Sequence, residues 1–151
     1  MPKKLTRIVT VLALLMTASY VGAEQTKTGE EAEEAGIRAA IQAYLDGTSY
    51  NDTEQIASAF YDEADLFLSH PERELYILPI SEYLGFFKDR EKGVANGRVG
   101  EILAVDRAGD IATAKAEIRS TRNDARYVDL FLLKKLGGEW KIISKAATRT
   151  Q

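Results

Sequence analysis

The chain has 151 residues, 45% apolar and 28% charged, with a formal charge of −3 and no cysteine. That length fits one domain with a short appendage, and that balance argues against disorder. It excludes disulfides, thiolate metal sites and cysteine nucleophiles, leaves no basic footprint for nucleic acid, and with His70 as the one histidine rules out a histidine-rich metal centre. No metal and no cofactor are expected.

Lys3, Lys4 and Arg7 form a basic start, and Ile8 to Ala18 is an apolar run too short for a comfortable bilayer span. Val21-Gly22-Ala23 supplies small residues before Glu24. This anatomy predicts a signal peptide over residues 1–23, cleaved on export to the periplasm or the exterior, with no stable membrane span left behind. The remaining chain is more acidic and has only its core to hold it together.

Residues 24–31 read as a flexible, acidic lead-in, with Thr28 and Glu31 fitting a capping box. From about residue 32, Ile37, Ile41, Tyr44 and Leu45 form one stripe of a helix that Gly47 would end. Asp52 is a good N-cap for a second helix, with Ile56, Ala57 and Phe60 on its buried face. Residues 61–64 then read as a turn. Strands are predicted over residues 65–69 and 74–78, and Pro71 interrupts ladder pairing between them. Ser81 would cap a third helix over residues 82–88, and Gly93 and Gly97 mark a loop after it.

The rest reads as strands over residues 99–107, 111–121, 126–136 and 139–148, joined by Gly109-Asp110, Asn123-Asp124 and Gly137-Gly138, all turn chemistry. Ala112, Ala114, Ala116 and Ile118 alternate with polar residues, which predicts one dry and one wet face. Helices segregated ahead of strands argue α+β, with a long antiparallel sheet that would curl around three N-terminal helices.

Ile41-Gln42-Ala43-Tyr44 on the first helix, Asn51-Asp52 opening the second, and residues 60–65 entering the first strand fit a known pattern. So do residues 127–133 and the closing Gly138-Glu139-Trp140-Lys141-Ile142-Ile143. In this order they resemble the nuclear transport factor 2-like superfamily, which implies a cone-shaped, curved antiparallel sheet packed on three N-terminal helices over residues 32–148. The His70-Pro71 step and Lys145 look most like its subgroup labelled "putative lumazine-binding". That superfamily includes ketosteroid isomerases, polyketide cyclases and dehydratases. The resemblance implies a homodimer through the outer face of the final sheet. It also places Tyr44 at the helix tyrosine and Asp129 at the late-strand acid that serve as hydrogen-bond donors in the isomerases. His70 falls near the base, one residue out of register.

The residues themselves allow more than one reading. A histidine can take a proton near neutral pH, so His70 is a candidate general base, or a loop histidine that caps a turn. Asp129 shares a strand face with Tyr127, Phe131 and Leu133. There it must be protonated, hydrogen-bonded or paired with Arg126, Lys145 or Arg119. Tyr44 is either an oxyanion donor or a core tyrosine with a satisfied hydroxyl. Tyr76, Tyr83, Phe87, Tyr127 and Phe131 are candidate ligand walls or plain core, and Arg73 is a candidate anion contact. Three functions are compatible: an exported binder of a small apolar or aromatic ligand, an isomerase-, cyclase- or dehydratase-type enzyme using His70, Tyr44 and Asp129, and a non-catalytic dimeric interaction module.

Overall fold

The structure, a computed structural model, describes the backbone of residues 5–150 and the side chains of residues 27–150. Residues 1–4 and the side chains of the expected 1–23 leader lie outside the described residues. The chain divides into two compact units, one up to Glu34 and one from Ala35. Helix α1 (Leu5–Tyr50) supplies the described part of the first and opens the second. Thr28 therefore lies inside α1 and does not cap it.

In the second unit the predicted stripe is the core. Ile37, Ile41, Tyr44 and Leu45 are at most 2% exposed. The helix does not end at Gly47 but runs on to Tyr50. Gly47 is instead a point of close approach, where a Cβ would stand 2.7 Å from Ile56 Cγ1. A helix end leaves four carbonyls without intrahelical partners. Here the chain that follows satisfies all four. Asp52 N–H donates to Gly47 O (2.9 Å), Asn96 Nδ2 to Thr48 O (2.7 Å), Asn96 N–H to Ser49 O (3.0 Å) and Gly93 N–H to Tyr50 O (2.7 Å). The loop that glycines announced is thus a C-terminal cap for α1.

Asp52 caps α2 (Thr53–Ala59) as expected, its carboxylate accepting from Gln55 N–H at 3.1 Å. The buried residues of α2 are Ile56 and Ala59, not Ala57. Residues 61–64 are not a turn. Strand β1 (Phe60–His70) begins at once, and the expected irregularity survives as a register shift between Phe60 and Asp65 against the neighbouring strand. Strand β2 (Arg73–Pro79) pairs antiparallel with β1. Helix α3 is only Ile80–Tyr83, followed by a 3-10 turn at Leu84–Phe86. Its N-cap is Pro79 with no side-chain bond, so Ser81 does not cap it.

Strands β3 (Arg98–Ala108), β4 (Ile111–Ser120), β5 (Arg126–Leu136) and β6 (Glu139–Arg149) form an antiparallel meander. Gly137 and Gly138 both take positive φ between β5 and β6, the requirement of a two-residue hairpin turn matched to strand twist. The sheet order is β2-β1-β6-β5-β4-β3. It is not wholly antiparallel, because β1 lies parallel to β6. A strand formed before the meander and returning beside its last member can arrive in either direction, and local sequence does not say which. Register shifts within β1, β3 and the β5–β6 pair bend the sheet, as bulges do. Leu66, Ala112, Ala114, Ala116, Ile118 and Phe131 line its dry face, within one core with the helices. Gly100 lets that face close on α1: a Cβ there would stand 2.6 Å from Leu45 Cδ2.

Candidate functional site

Three inward residues meet where α1, β5 and β6 face one another. Tyr44 comes from the α1 stripe, Asp129 from β5 and Lys145 from β6. Asp129 and Lys145 are 2% and 3% exposed, so their charges need partners. Lys145 Nζ donates to Asp129 Oδ2 at 2.8 Å, and Tyr44 OH donates to the same oxygen at 2.8 Å. Of the three cations that could answer Asp129, the fold chooses Lys145. Arg126 and Arg119 go to Glu117 instead, at 2.9 and 2.6 Å.

The cluster extends to α3. Tyr83 OH lies 3.2 Å from Tyr44 OH. Tyr44 has one hydroxyl hydrogen and gives it to Asp129, so Tyr83 donates to Tyr44. Lys145 Nζ also sits 5.2 Å from the Tyr44 ring centroid and 5.4 Å from that of Tyr83, within cation–π range. Burial first, then the Asp129 carboxylate and Tyr83, push the Tyr44 phenol well above the ordinary tyrosine range. Tyr44 is a committed neutral donor.

Above this cluster lies a cavity of about 490 Å³, lined in part by Tyr83, Tyr127, Asp129, Lys145, Leu68 and Ala147. Register accounts for the grouping: Leu68 pairs with Ala147, Ala147 with Asp129, and Tyr127 with Arg149. Ser69, His70 and Pro71 at the β1–β2 turn, Thr148 and Arg149 at the end of β6, and Arg98 at the start of β3 complete the wall.

The predicted residues divide. Tyr83, Tyr127, Asp129 and His70 line the cavity. Tyr44 does not; it is fully buried behind Asp129 and Tyr83, edge-on to Phe60 and Phe131. Phe87 and Phe131 belong to the packed core. Tyr76 and Arg73 lie off the cavity, with Arg73 over the Tyr76 ring at 5.3 Å and His70 edge-on to it at 5.5 Å. His70 Nδ1 accepts from Glu72 N–H at 3.1 Å, so the neutral ring carries its proton on Nε2 and presents a donor. Asp129 Oδ2 accepts two hydrogen bonds, the reverse of the donor role that the isomerase resemblance implies.

Arg98 is a lining cation that motif reading missed. Period-two alternation through Gly100 and Ile102 could have found it, since all three lie on the inner face. Asn96 positions it. The Asn96 side chain is buried, donates to Thr48 O and Asn51 Oδ1 at 2.7 Å each, and accepts from Arg98 N–H at 3.1 Å. Burial works to lower the Arg98 pKa, but Tyr44, Tyr83 and Asp129 outweigh it and the guanidinium is held above its ordinary value. Arg98 Nε is buried without a hydrogen-bond partner among the described residues.

Comparison with known proteins agrees with this fold. The family model described as "Putative lumazine-binding" matches residues 32–146. A nuclear transport factor 2-like protein of unknown function from Shewanella baltica superposes with a TM-score of 0.70 at 22% identity, over 80% of this chain and 95% of that one. A second such protein, from Methylobacillus flagellatus, gives 0.68 at 23% identity, over 80% and 94%. A ketosteroid isomerase-like protein from Erwinia carotovora atroseptica gives 0.58 at 21% identity, over 78% and 95%. No curated protein matches. At these identities the structures speak for the fold alone.

Proposed function

We propose, from the premise that this chain belongs to the "Putative lumazine-binding" family of the nuclear transport factor 2-like superfamily, that it is a small-molecule-binding protein. The observation that carries the reading is the open cavity of about 490 Å³ with Tyr83, Asp129 and Lys145 converging on one wall. That volume is in the range of small-ligand sites, about 300–1,000 Å³, which set a few polar groups in largely apolar walls. Leu68, Pro71, Ala147 and the rings of Tyr83 and Tyr127 supply such walls for an apolar or aromatic body.

Filling the cavity tests this. Ala147→Trp places an indole where the ligand body would lie. Nile red, a neutral apolar dye, is expected to bind the unaltered protein saturably and the variant not at all, with the thermal midpoint little changed. Equal dye binding by both proteins would refute the reading.

An enzyme of the isomerase, cyclase or dehydratase type is the second reading, supported by the Tyr83–Tyr44–Asp129 chain. It would need His70 to free its Nδ1 from Glu72 and Asp129 to become a donor, so the present geometry favours binding. His70→Ala would abolish turnover under this reading, and under the first would leave saturable ligand binding with no product formed by either protein.

Export follows from the leader reading: cleavage before Glu24 would deliver the domain to the periplasm or the exterior. Mass spectrometry of the mature protein should find Glu24 as its first residue; an intact N-terminus would refute cleavage. A homodimer through the outer sheet face is proposed alongside, and a pure interaction module would keep that face without using the cavity.

A further inference from the structure

Among the residues lining the cavity, Arg98, Lys145 and Arg149 are cationic and Asp129 is the one acid. Lys145 and Asp129 answer each other at 2.8 Å. Arg98 keeps one donor unused: its Nε is shut away from water and donates to nothing among the described residues. Arg126 has a buried, unpartnered Nε as well, but its guanidinium grips Glu117 through Nη2 at 2.9 and 3.0 Å. Among the described residues no such carboxylate is hydrogen-bonded to Arg98. A guanidinium N–H buried with no acceptor is costly unless something supplies one. Its backbone is nonetheless tied in place through Asn96 Oδ1, so the side chain is presented to the cavity from a fixed base.

We propose that the ligand is a small monocarboxylate, its carboxylate taken by Arg98 and its apolar body held between Tyr83, Tyr127, Leu68 and Ala147. This rests on the cavity being a binding site. Planar carboxylates suit the guanidinium fork, which offers parallel N–H donors. Arg98 is a single fork, so it matches a single carboxylate. Among the described residues no α-helix begins at the cavity, and the lining includes no glycine-rich turn whose amides could cradle a phosphate.

The full chain is titrated calorimetrically with naphthoate, with its neutral amide and with inorganic phosphate. Naphthoate should bind about tenfold or more tighter than the amide, the weight of one charge-assisted hydrogen bond. Raised salt should narrow the gap. Arg98→Gln should erase the preference while the amide binds as before, and Arg98→Lys should keep only part of it. Without ligand, Arg98→Gln should melt at about the same temperature, because it removes a buried N–H that has no acceptor along with the charge. A lower melting point with unchanged acid preference would make Arg98 structural and overturn the inference. Equal binding of acid and amide overturns it too, but leaves the binding cavity standing if Ala147→Trp blocks both. Displacement of naphthoate by phosphate would assign the site to a different anion and overturn the monocarboxylate. If neither compound nor Nile red binds, the cavity reading falls and takes this one with it.

Discussion

Asp129 shows how one buried charge organises its surroundings. Its Oδ2 accepts from both Lys145 and Tyr44, and Tyr83 leans on Tyr44 in turn. Removing one member of a buried pair strands the other, at about 3–5 kcal/mol, whereas removing both can be nearly neutral. Lys145→Met should therefore destabilise by about that much, and the double variant Lys145→Met with Asp129→Leu by clearly less, as read from urea unfolding. Equal losses would mean that the two charges do not depend on each other. Tyr44 adds a pH signature. Its folded pKa is raised, so its contribution is intact below the unfolded value of about 10 and is lost as pH rises beyond it. The unfolded chain can ionise there while the buried phenol resists. Tyr44→Phe should cost about 1–3 kcal/mol at neutral pH, mostly from the weakened hold on Asp129, and should flatten part of the alkaline fall in stability. An unchanged alkaline slope would show that Tyr44 does not contribute to it.

At the scale of elements, the end of α1 and the loop before β3 are one construction. Asn96 closes two α1 carbonyls, holds the Asn51 side chain and receives Arg98 N–H. Asn51 itself sits at φ 57°, a left-handed position that asparagine tolerates better than most residues, and donates to Glu91 O and Val94 O. Asn96→Ala leaves buried acceptors unmatched and should cost about 2–4 kcal/mol, taking each stranded group at its usual penalty. It should also loosen Arg98, so acid selectivity in the naphthoate titration should drop with stability. Thermal unfolding beside the titration checks this, and a variant that loses stability but keeps selectivity would separate the clamp from the site. The glycines at 93 and 97 announced a loop. They could not announce that the loop would cap a helix, because the capped carbonyls are on a segment more than forty residues earlier in the chain.

For the whole molecule, the outer sheet face is where the proposed homodimer would form. Register aligns Ile77, Phe67, Ala146 and Leu130 in one row across β2, β1, β6 and β5. Leu130 is 54% exposed and Leu132 41%. Covering such a band is favourable at roughly 25 cal/mol per Å² of apolar surface. Leu130→Lys should turn a sedimenting dimer into a monomer while the cavity still binds its dye; an unaltered protein that already sediments as a monomer would remove the dimer proposal.

Much of this protein was legible as a string. The element order, the dry and wet faces of β4 and β5, the Asp52 cap and the hairpin turns all follow from period and turn chemistry. These are short-range properties, written within a few neighbours. That Tyr127 and Asp129 share one strand face was readable from alternation, while His70 stood out only as the one histidine, beside Pro71, and through the family resemblance. The direction of β1 beside β6, the pairing of Asp129 with Lys145 over Arg126 or Arg119, and the arrival of Arg98 at the cavity came only with the tertiary structure. Each depends on how far the bulged sheet curls and on which strand end meets which, and those distances are set by the closed fold as a whole, not by any one segment.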